Sequence, residues 1–329
     1  MLTLALAAAP VSGMTAFAAD SSTDTASSVS IDPSAAVLTV RTMSTVSGTC
    51  GKNVKWSLNT GTGVLTISGS GKMTNYTYGC IGVTPAPWDD YRNQIKTVKI
   101  KSGVTSIGNY AFIETKNLTS VTIAGSVKTI GTSAFQWCAK LKTVKLSGVT
   151  KIGDAAFREC TSLKTVTLGN KLKTVGNMAF YKCTKLKSVT IPKNVTKLGS
   201  SAFGYCTKLS SVTFKGEKLK TIGTTAFQYC SALKSITLPS GTKTIGDSAF
   251  YECTKLKSIT IPESVSKING YAFSGCGKLS QVTFKGSVPK IDSAAFDGVT
   301  ASAYYPSSDS SWKSSDLKDY GGTLTWVAV

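Results

Sequence analysis

Nine cysteines and no histidine define the chemistry open to this 329-residue chain. Seven of the cysteines, Cys138, Cys160, Cys183, Cys206, Cys230, Cys253 and Cys276, recur every 22 to 24 residues. A thiol can ligate a metal, pair in a disulfide or act as a nucleophile once ionised. Metal ligands must converge on a point, whereas positions one repeat apart stack in a line. The series therefore reads as buried structural thiols packing as small hydrophobes, with stacked disulfides and reactive or metal-binding thiols as alternatives. Cys50 and Cys80 stand outside the series, and a disulfide between them suits an exported protein. Without histidine, Ser-His-Asp and Cys-His nucleophiles and the commonest general base are missing. The 17 acidic residues show no repeated pairing, as a glycosidase would need across about 5–10 Å. The expectation is a non-enzymatic chain with no catalytic residues, no metal site and no cofactor.

The elements that position these thiols are repeats. Each of the seven follows a phenylalanine by three residues, and nine phenylalanines recur with the same period, from Phe112 through Phe135, Phe157, Phe180, Phe203, Phe227, Phe250 and Phe273 to Phe296. An alanine precedes each one. Self-similarity at a fixed period of this length is the signature of a solenoid. In the unit from Thr184 to Phe203, Leu186, Val189 and Ile191 alternate with Ser188 and Thr190, the period-two pattern of a half-buried strand. Pro192 ends that strand, Val195 and Leu198 form a second apolar pair, and Phe203 plugs the interior. A turn position holds Gly108, Gly131, Gly153, Gly176, Gly199, Gly223 and Gly246, then Asn269 and Asp292. These residue types are the ones that best tolerate positive φ, so a left-handed backbone is expected there. The first and last units carry Thr115 and Val299 in place of cysteine, as terminal caps require.

The organisation expected from these patterns has five parts. Residues 1–19 read as a signal peptide, apolar and small with Ala16-Phe17-Ala18 at the cleavage point. Residues 20–45 read as a flexible Ser/Thr-rich linker. Residues 46–94 form an N-terminal β module, with a hairpin from Val54–Leu58 and Val64–Ile67 and with Trp88 packing it onto the first coil. Residues 95–298 hold the nine repeats and residues 299–329 a C-terminal cap, where Tyr304, Tyr305, Trp312, Tyr320 and Trp326 can cover the core. No later run reaches the roughly 18 apolar residues of a membrane helix, so no transmembrane segment is expected.

The chain carries 37 basic and 17 acidic residues, a formal net charge of +20, which favours acidic partners. Three surface rows compete as binding candidates. One is the outward strand face, with Thr167, Thr190 and Thr213. The second is a lysine row flanking the strands, Lys142, Lys164, Lys187, Lys234 and Lys257. The third is an aromatic row between phenylalanine and cysteine, Trp137, Tyr181, Tyr205, Tyr229 and Tyr251. Each has a plainer reading, as solvated sheet, solubilising charge or loop packing.

The repeat L-x-x-V-x-I-P-x-x-V-x-x-I-G-x-x-A-F-x-x-C resembles that of the BspA-like, Treponema-type leucine-rich-repeat surface or secreted proteins. The segment GTCGKNVKWSLNTGTGVLTISGSGKM, with PWDDYRNQIKTVKI at 87–100, is similar to the module that often precedes these repeats, and AYYPSSDSSWKSSDLKDYGGTLTWV is similar to their C-terminal cap. The resemblance implies a β-rich, right-handed leucine-rich-repeat solenoid with parallel strands, secreted or at the cell surface. It implies adhesion to host matrix proteins, glycans or other bacteria, and it offers no catalytic residues to carry over. The partner expected is an extracellular protein or an acidic glycan, not nucleic acid. A self-associating structural matrix component is the alternative, and the sequence does not set the oligomeric state.

Overall fold

The computed structural model describes residues 15–19, 26–31, 38–79 and 84–329. Strands Thr15–Ala19, Ala26–Ile31 and Leu38–Met43 pair antiparallel with one another. Residues 1–14, most of the expected signal peptide, lie outside the described residues, and so does Cys80.

From Thr97 to Phe296 the chain winds through nine coils, numbered here by their phenylalanines from coil 1 (Phe112) to coil 9 (Phe296). Coil 5 shows the plan. A long strand, Ser188–Ile191, buries Val189 and Ile191 and exposes Ser188 and Thr190. A corner led by Pro192 turns into a short strand, Lys197–Leu198, that buries its second residue. A turn then carries Phe203 inward. Long strands pair in parallel with long strands, as Ser188–Ile191 does with Ser211–Phe214, and short strands pair with short strands, as Thr174 does with Lys197. Because every coil repeats the register, the β-branched alternation of one coil stacks on that of the next.

The interior is a column of rings. All nine phenylalanines are fully buried, and successive rings lie 5.1–5.8 Å apart with planes 3–21° from parallel. Burying each ring contributes about 1.5–3 kcal/mol, and contacts at this separation add to that. The widest step, 5.8 Å between Phe203 and Phe227, falls where the coil has 24 residues.

The turn corrects the expectation for the glycines. Gly108, Gly131, Gly153, Gly176, Gly199, Gly223 and Gly246 are not among the positive-φ residues, nor are Asn269 and Asp292. What fixes the glycines is close approach. A Cβ on Gly199 would sit 2.5 Å from the carbonyl carbon of Gly176 and 2.5 Å from the nitrogen of Asn177. One on Gly176 would sit 2.6 Å from the carbonyl carbon of Gly153. Backbones of neighbouring coils touch at these glycines, leaving room only for hydrogen, and the line ends at coils 8 and 9, where Asn269 and Asp292 carry side chains.

The left-handed residues lie elsewhere, two in each of coils 1 to 8 and one, Gly298, in coil 9. One is two residues after the glycine, as at Ala155 (φ 52°) and Met178 (φ 52°), and the other two after the phenylalanine, as at Glu159 (φ 58°) and Tyr205 (φ 58°). Each such non-glycine residue costs roughly 1–2 kcal/mol of backbone strain. The conformation turns alternate N–H groups along the solenoid axis. Ala155, Phe157 and Glu159 donate to the carbonyls of Asn177, Ala179 and Tyr181 in the next coil, each at 2.8 Å. The turns thus form a third line of hydrogen bonds beside the stacked long strands and the stacked short strands, which divide into four and two sheets.

The ends are closed differently. The hairpin of Val54–Asn59 and Val64–Gly69 forms as expected. Its second strand pairs in parallel with Thr97–Ile100, and Gly71–Lys72 pairs with the first short strand. The N-terminal module therefore adds a further partial coil that the repeat pattern does not show. Trp88 takes the place of its phenylalanine, stacked 5.3 Å from Phe112 at 14°. Its indole N–H donates to the Ala111 carbonyl at 2.9 Å, a bond that the phenylalanine backbone N–H makes in the regular coils. At the far end, strand Thr300–Tyr305 pairs with coil 9 and with Thr323–Ala328. Trp312 and Trp326 pack against Phe284 there, at 5.0 and 5.6 Å.

Candidate functional site

The seven repeated cysteines are fully buried. Each thiol donates to the phenylalanine carbonyl one coil back, as Cys160 does to Phe135 at 3.1 Å and Cys206 to Phe180 at 3.2 Å. Burial pushes these thiols up, Cys206 and Cys276 to about 12, so the nucleophilic thiolate is not available near neutral pH. In coil 1 the position is Thr115, which has no preceding phenylalanine carbonyl to reach. Its buried hydroxyl has no partner. Among the described residues no three histidine, cysteine or acidic side chains gather as a metal would need. Cys50 is buried, and its expected partner Cys80 lies outside the described residues.

The three surface rows fare differently. Thr167, Thr190 and Thr213 are exposed on the long-strand face, with Thr190 and Thr213 direct register neighbours. Lys142, Lys164, Lys187, Lys234 and Lys257 are all exposed just ahead of their strands. They make two groups rather than one row, because Ser210 interrupts between Lys187 and Lys234. The coil stacking within a group is close, with the Lys164 N–H donating to the Lys142 carbonyl at 2.8 Å.

The aromatic row is the one in which side chains meet. Tyr181 and Tyr205 have ring centroids 5.3 Å apart, Tyr205 and Tyr229 4.5 Å, and Tyr229 and Tyr251 5.4 Å. All four are half-buried on the turn. The Arg158 guanidinium lies 5.6 Å from the Tyr181 ring centre, and so does the Lys182 ammonium. The Tyr251 hydroxyl and, after it, burial raise the Tyr229 phenol above its ordinary range. Burial, then Tyr205, raises Tyr181. Trp137 does not join this cluster. Coil 3 puts Arg158 and Glu159 between, and Trp137 lies 6.5 Å from Tyr78 instead. Tyr78 in turn lies 5.3 Å from the guanidinium of Arg92, which is 3.8 Å from Glu114.

Sequence reading missed the charged members of this face, Glu114, Arg158, Glu159, Lys182 and Glu252. Their signal was positional: each sits one or two residues after a phenylalanine, like the tyrosines. The second of these positions is left-handed from Glu114 to Glu252 and holds no glycine before coil 8. Both left-handed positions of coils 1 to 7 accept this strain at residues with side chains: the first holds mostly small ones such as Ser133, Ala155 and Ser201, the second large polar or aromatic ones.

An open recess of about 410 Å³ lies between coils 6 and 7, lined by Phe214, Lys215, Glu217, Leu238 and Pro239. It sits at the corner where coil 6 has its extra residue. Among the described residues no helix is long and apolar enough to cross a membrane.

Comparison with known proteins agrees with this architecture. One solved structure shows the fold, and others are similar in sequence. A leucine-rich repeat protein from Bacteroides ovatus ATCC 8483 is 20% identical over 84% of this chain and 99% of that chain, with a TM-score of 0.50. A leucine-rich repeat protein from Eubacterium ventriosum ATCC 27560 is 24% identical over 77% and 94%, with a TM-score of 0.37. A leucine rich cell surface protein from Faecalibacterium prausnitzii A2-165 is 23% identical over 74% and 95%, with a TM-score of 0.32. No curated protein matches the chain. The family model for the BspA type leucine rich repeat region matches six copies, over residues 90–210 and 173–303. With more than half of its length so matched, and with the coils built as described, the chain belongs to the BspA-type leucine-rich-repeat family.

Proposed function

We propose that this chain is an extracellular binding and adhesion module, secreted or held at the cell surface, that engages its partner through the turn face. The family is one of repeat proteins associated with protein binding or adhesion and is typically non-enzymatic. The observation that carries the reading is the tyrosine cluster. Tyr205 and Tyr229 hold left-handed backbone, at φ 58° and 55°, where glycine would relieve strain. Half-buried tyrosines flanked by Arg158, Glu159, Lys182 and Glu252 have the composition of an interface centre, with large rigid rings and a charged rim. A protein partner suits this surface of rings and mixed charge, and an acidic glycan would find only Arg158 and Lys182 as cations there.

The test is binding of the full chain to immobilised host matrix proteins and to bacterial cells, beside the double variant Tyr205→Gly and Tyr229→Gly. Glycine removes both rings and suits the left-handed backbone, so the coils remain folded. The expected result is a loss of at least about thirtyfold in affinity, the effect of removing a hot spot worth about 2 kcal/mol. Undiminished binding by the double variant would sink the reading. Concentration-dependent assembly in light scattering, with no heterologous binding, would replace it with a self-associating structural component.

A further inference from the structure

The short-strand sheet carries a feature that the turn face does not explain. In each coil from 2 to 7 the two residues that open the short strand are one lysine and one threonine. The lysines are Lys128, Lys151, Lys173, Lys197, Lys220 and Lys243, one per coil and all exposed. The order within the pair changes: Lys128-Thr129 is followed by Thr150-Lys151, then Lys173-Thr174, then Thr196-Lys197. Where threonine comes first, its hydroxyl donates to the lysine carbonyl one coil back, Thr150 to Lys128 at 3.0 Å and Thr196 to Lys173 at 3.4 Å. Where lysine comes first, the threonine takes the paired strand position instead. Backbone pairing therefore accepts either order. The constant is the composition of the pair, a cation beside a hydroxyl.

These cations are uncompensated. Among the described residues every ion pair within 4 Å uses an arginine, Arg92 or Arg158, and none uses a lysine. Two acids of these coils hold neighbouring turns, Asp154 accepting the backbone N–H of Asn177 at 2.8 Å and Asp247 the Asn269 amide at 3.3 Å. From coil 7 onward acids lie beside the lysines: Lys243 shares a recess with Glu263, and Asp247 and Asp292 share one with Lys267 and Lys290, so the row is most basic ahead of coil 7. Adjacent coils repeat at about 4.8 Å, so the six lysines, shifting between two neighbouring positions, form a staggered row roughly 25 Å long. Like charges at that spacing repel, and a polymer with matching negative charges relieves the repulsion while releasing counterions.

We infer that this line of six lysines is a second binding surface, separate from the tyrosine cluster, for a linear anionic polysaccharide. Its occupant follows from what the face lacks as well as what it carries. Interleaved threonine hydroxyls suit the hydroxyls of sugar rings. The line has no arginine and no aromatic ring, the groups with which proteins stack and fork onto nucleic acid. A membrane surface would be met by apolar side chains beside the basic ones, and the large exposed apolar residues among those described, Met178, Tyr271 and Val329, lie outside the short strands.

The experiment is titration of the full chain with sulfated oligosaccharides of graded length, with the unsulfated chain and with duplex DNA of equal charge. The stripe variant carries Lys151→Gln, Lys173→Gln, Lys197→Gln and Lys220→Gln. A control variant loses the same charge through Lys52→Gln, Lys55→Gln, Lys99→Gln and Lys318→Gln, all exposed and off the line. Expected are affinity that rises with chain length up to roughly 25 Å, a loss of about tenfold or more in the stripe variant with a shallower salt slope, and at most a twofold change in the control. Circular dichroism verifies that both variants are folded. Equal losses in the two variants would reduce the effect to net charge and overturn the inference. DNA binding as tight as that of the sulfated chain would overturn it in favour of nucleic acid, and no binding by the unmodified chain would overturn it outright. Because the tyrosines are untouched, either result leaves the reading of the turn face to its own test.

Discussion

The thiol of Cys183 donates to the carbonyl oxygen of Phe157, one coil back, across 3.2 Å. The same carbonyl accepts the backbone N–H of Cys160 in its own coil, also at 3.2 Å. Cysteine is small enough to stay inside the coil and still supplies a donor that reaches the neighbouring one. The seven thiols are thus a hydrogen-bonded spine beside the phenylalanine column.

The spine has a consequence for reactivity and for pH. Burial lifts Cys206 and Cys276 from 9.0 to about 12. The unfolded chain therefore loses these protons from about pH 9 upward while the folded chain keeps them. Stability should be full below pH 9 and fall progressively as the pH rises towards 12. Urea midpoints measured between pH 8 and pH 10 should decline. The decline should be shallower in the double variant Cys206→Ala and Cys276→Ala, and an identical slope would refute the assignment. At pH 8 the seven thiols of the native protein should react with a thiol reagent no faster than the protein unfolds.

The glycine line and the left-handed positions predict opposite signs for alanine and glycine exchanges in one turn. Gly199→Ala forces a methyl group against the Gly176 carbonyl and the Asn177 nitrogen, and should cost about 1–3 kcal/mol or more as an overpacked contact. Ala155→Gly, at φ 52°, relieves roughly 1–2 kcal/mol of strain against a gain of about 0.4–1 kcal/mol in unfolded-chain entropy. It should be neutral or mildly stabilising, unlike glycine in an ordinary strand. Thermal melts of the two variants check this. A stabilised Gly199→Ala, or a clearly destabilised Ala155→Gly, would contradict the backbone geometry.

Phe180 lies 5.3 Å from Phe157 and 5.2 Å from Phe203. Phe180→Ala should cost roughly 3–5 kcal/mol through lost burial and the cavity left behind. In a repeat protein each coil is stabilised chiefly by its neighbours, so the defect should also weaken the coupling between the halves. Denaturation of this variant should therefore broaden or split into two steps. A single sharp transition, shifted by less than about 1 kcal/mol, would mean the ring column is not what joins the coils.

Much of this molecule was legible as a repeat. The spacing of Phe112 to Phe296 specified the coils, the alternation of Val189 and Ile191 with Ser188 and Thr190 specified which face of each strand is buried, and the lack of histidine excluded the common catalytic constellations. Burial of the thiols also followed, since a residue three positions after a buried ring recurs inside when the ring does. These are properties of period and residue type, and a linear chain displays both. The role of Gly199 was not legible, because glycine is selected equally by positive φ and by a backbone lying against it, and only the distance to Gly176 separates the two. Trp88 as a tenth ring was hidden because it belongs to no repeat, and its place is fixed by the pairing of Val64–Gly69 with Thr97–Ile100. The division of the aromatic row had the same origin: Trp137 and Tyr181 look like members of one series in sequence, but coil 3 sets Arg158 and Glu159 between them. Sequence determined what each coil must bury, while contacts between coils, which depend on stacking register and on the direction of each turn, decided what the surface brings together.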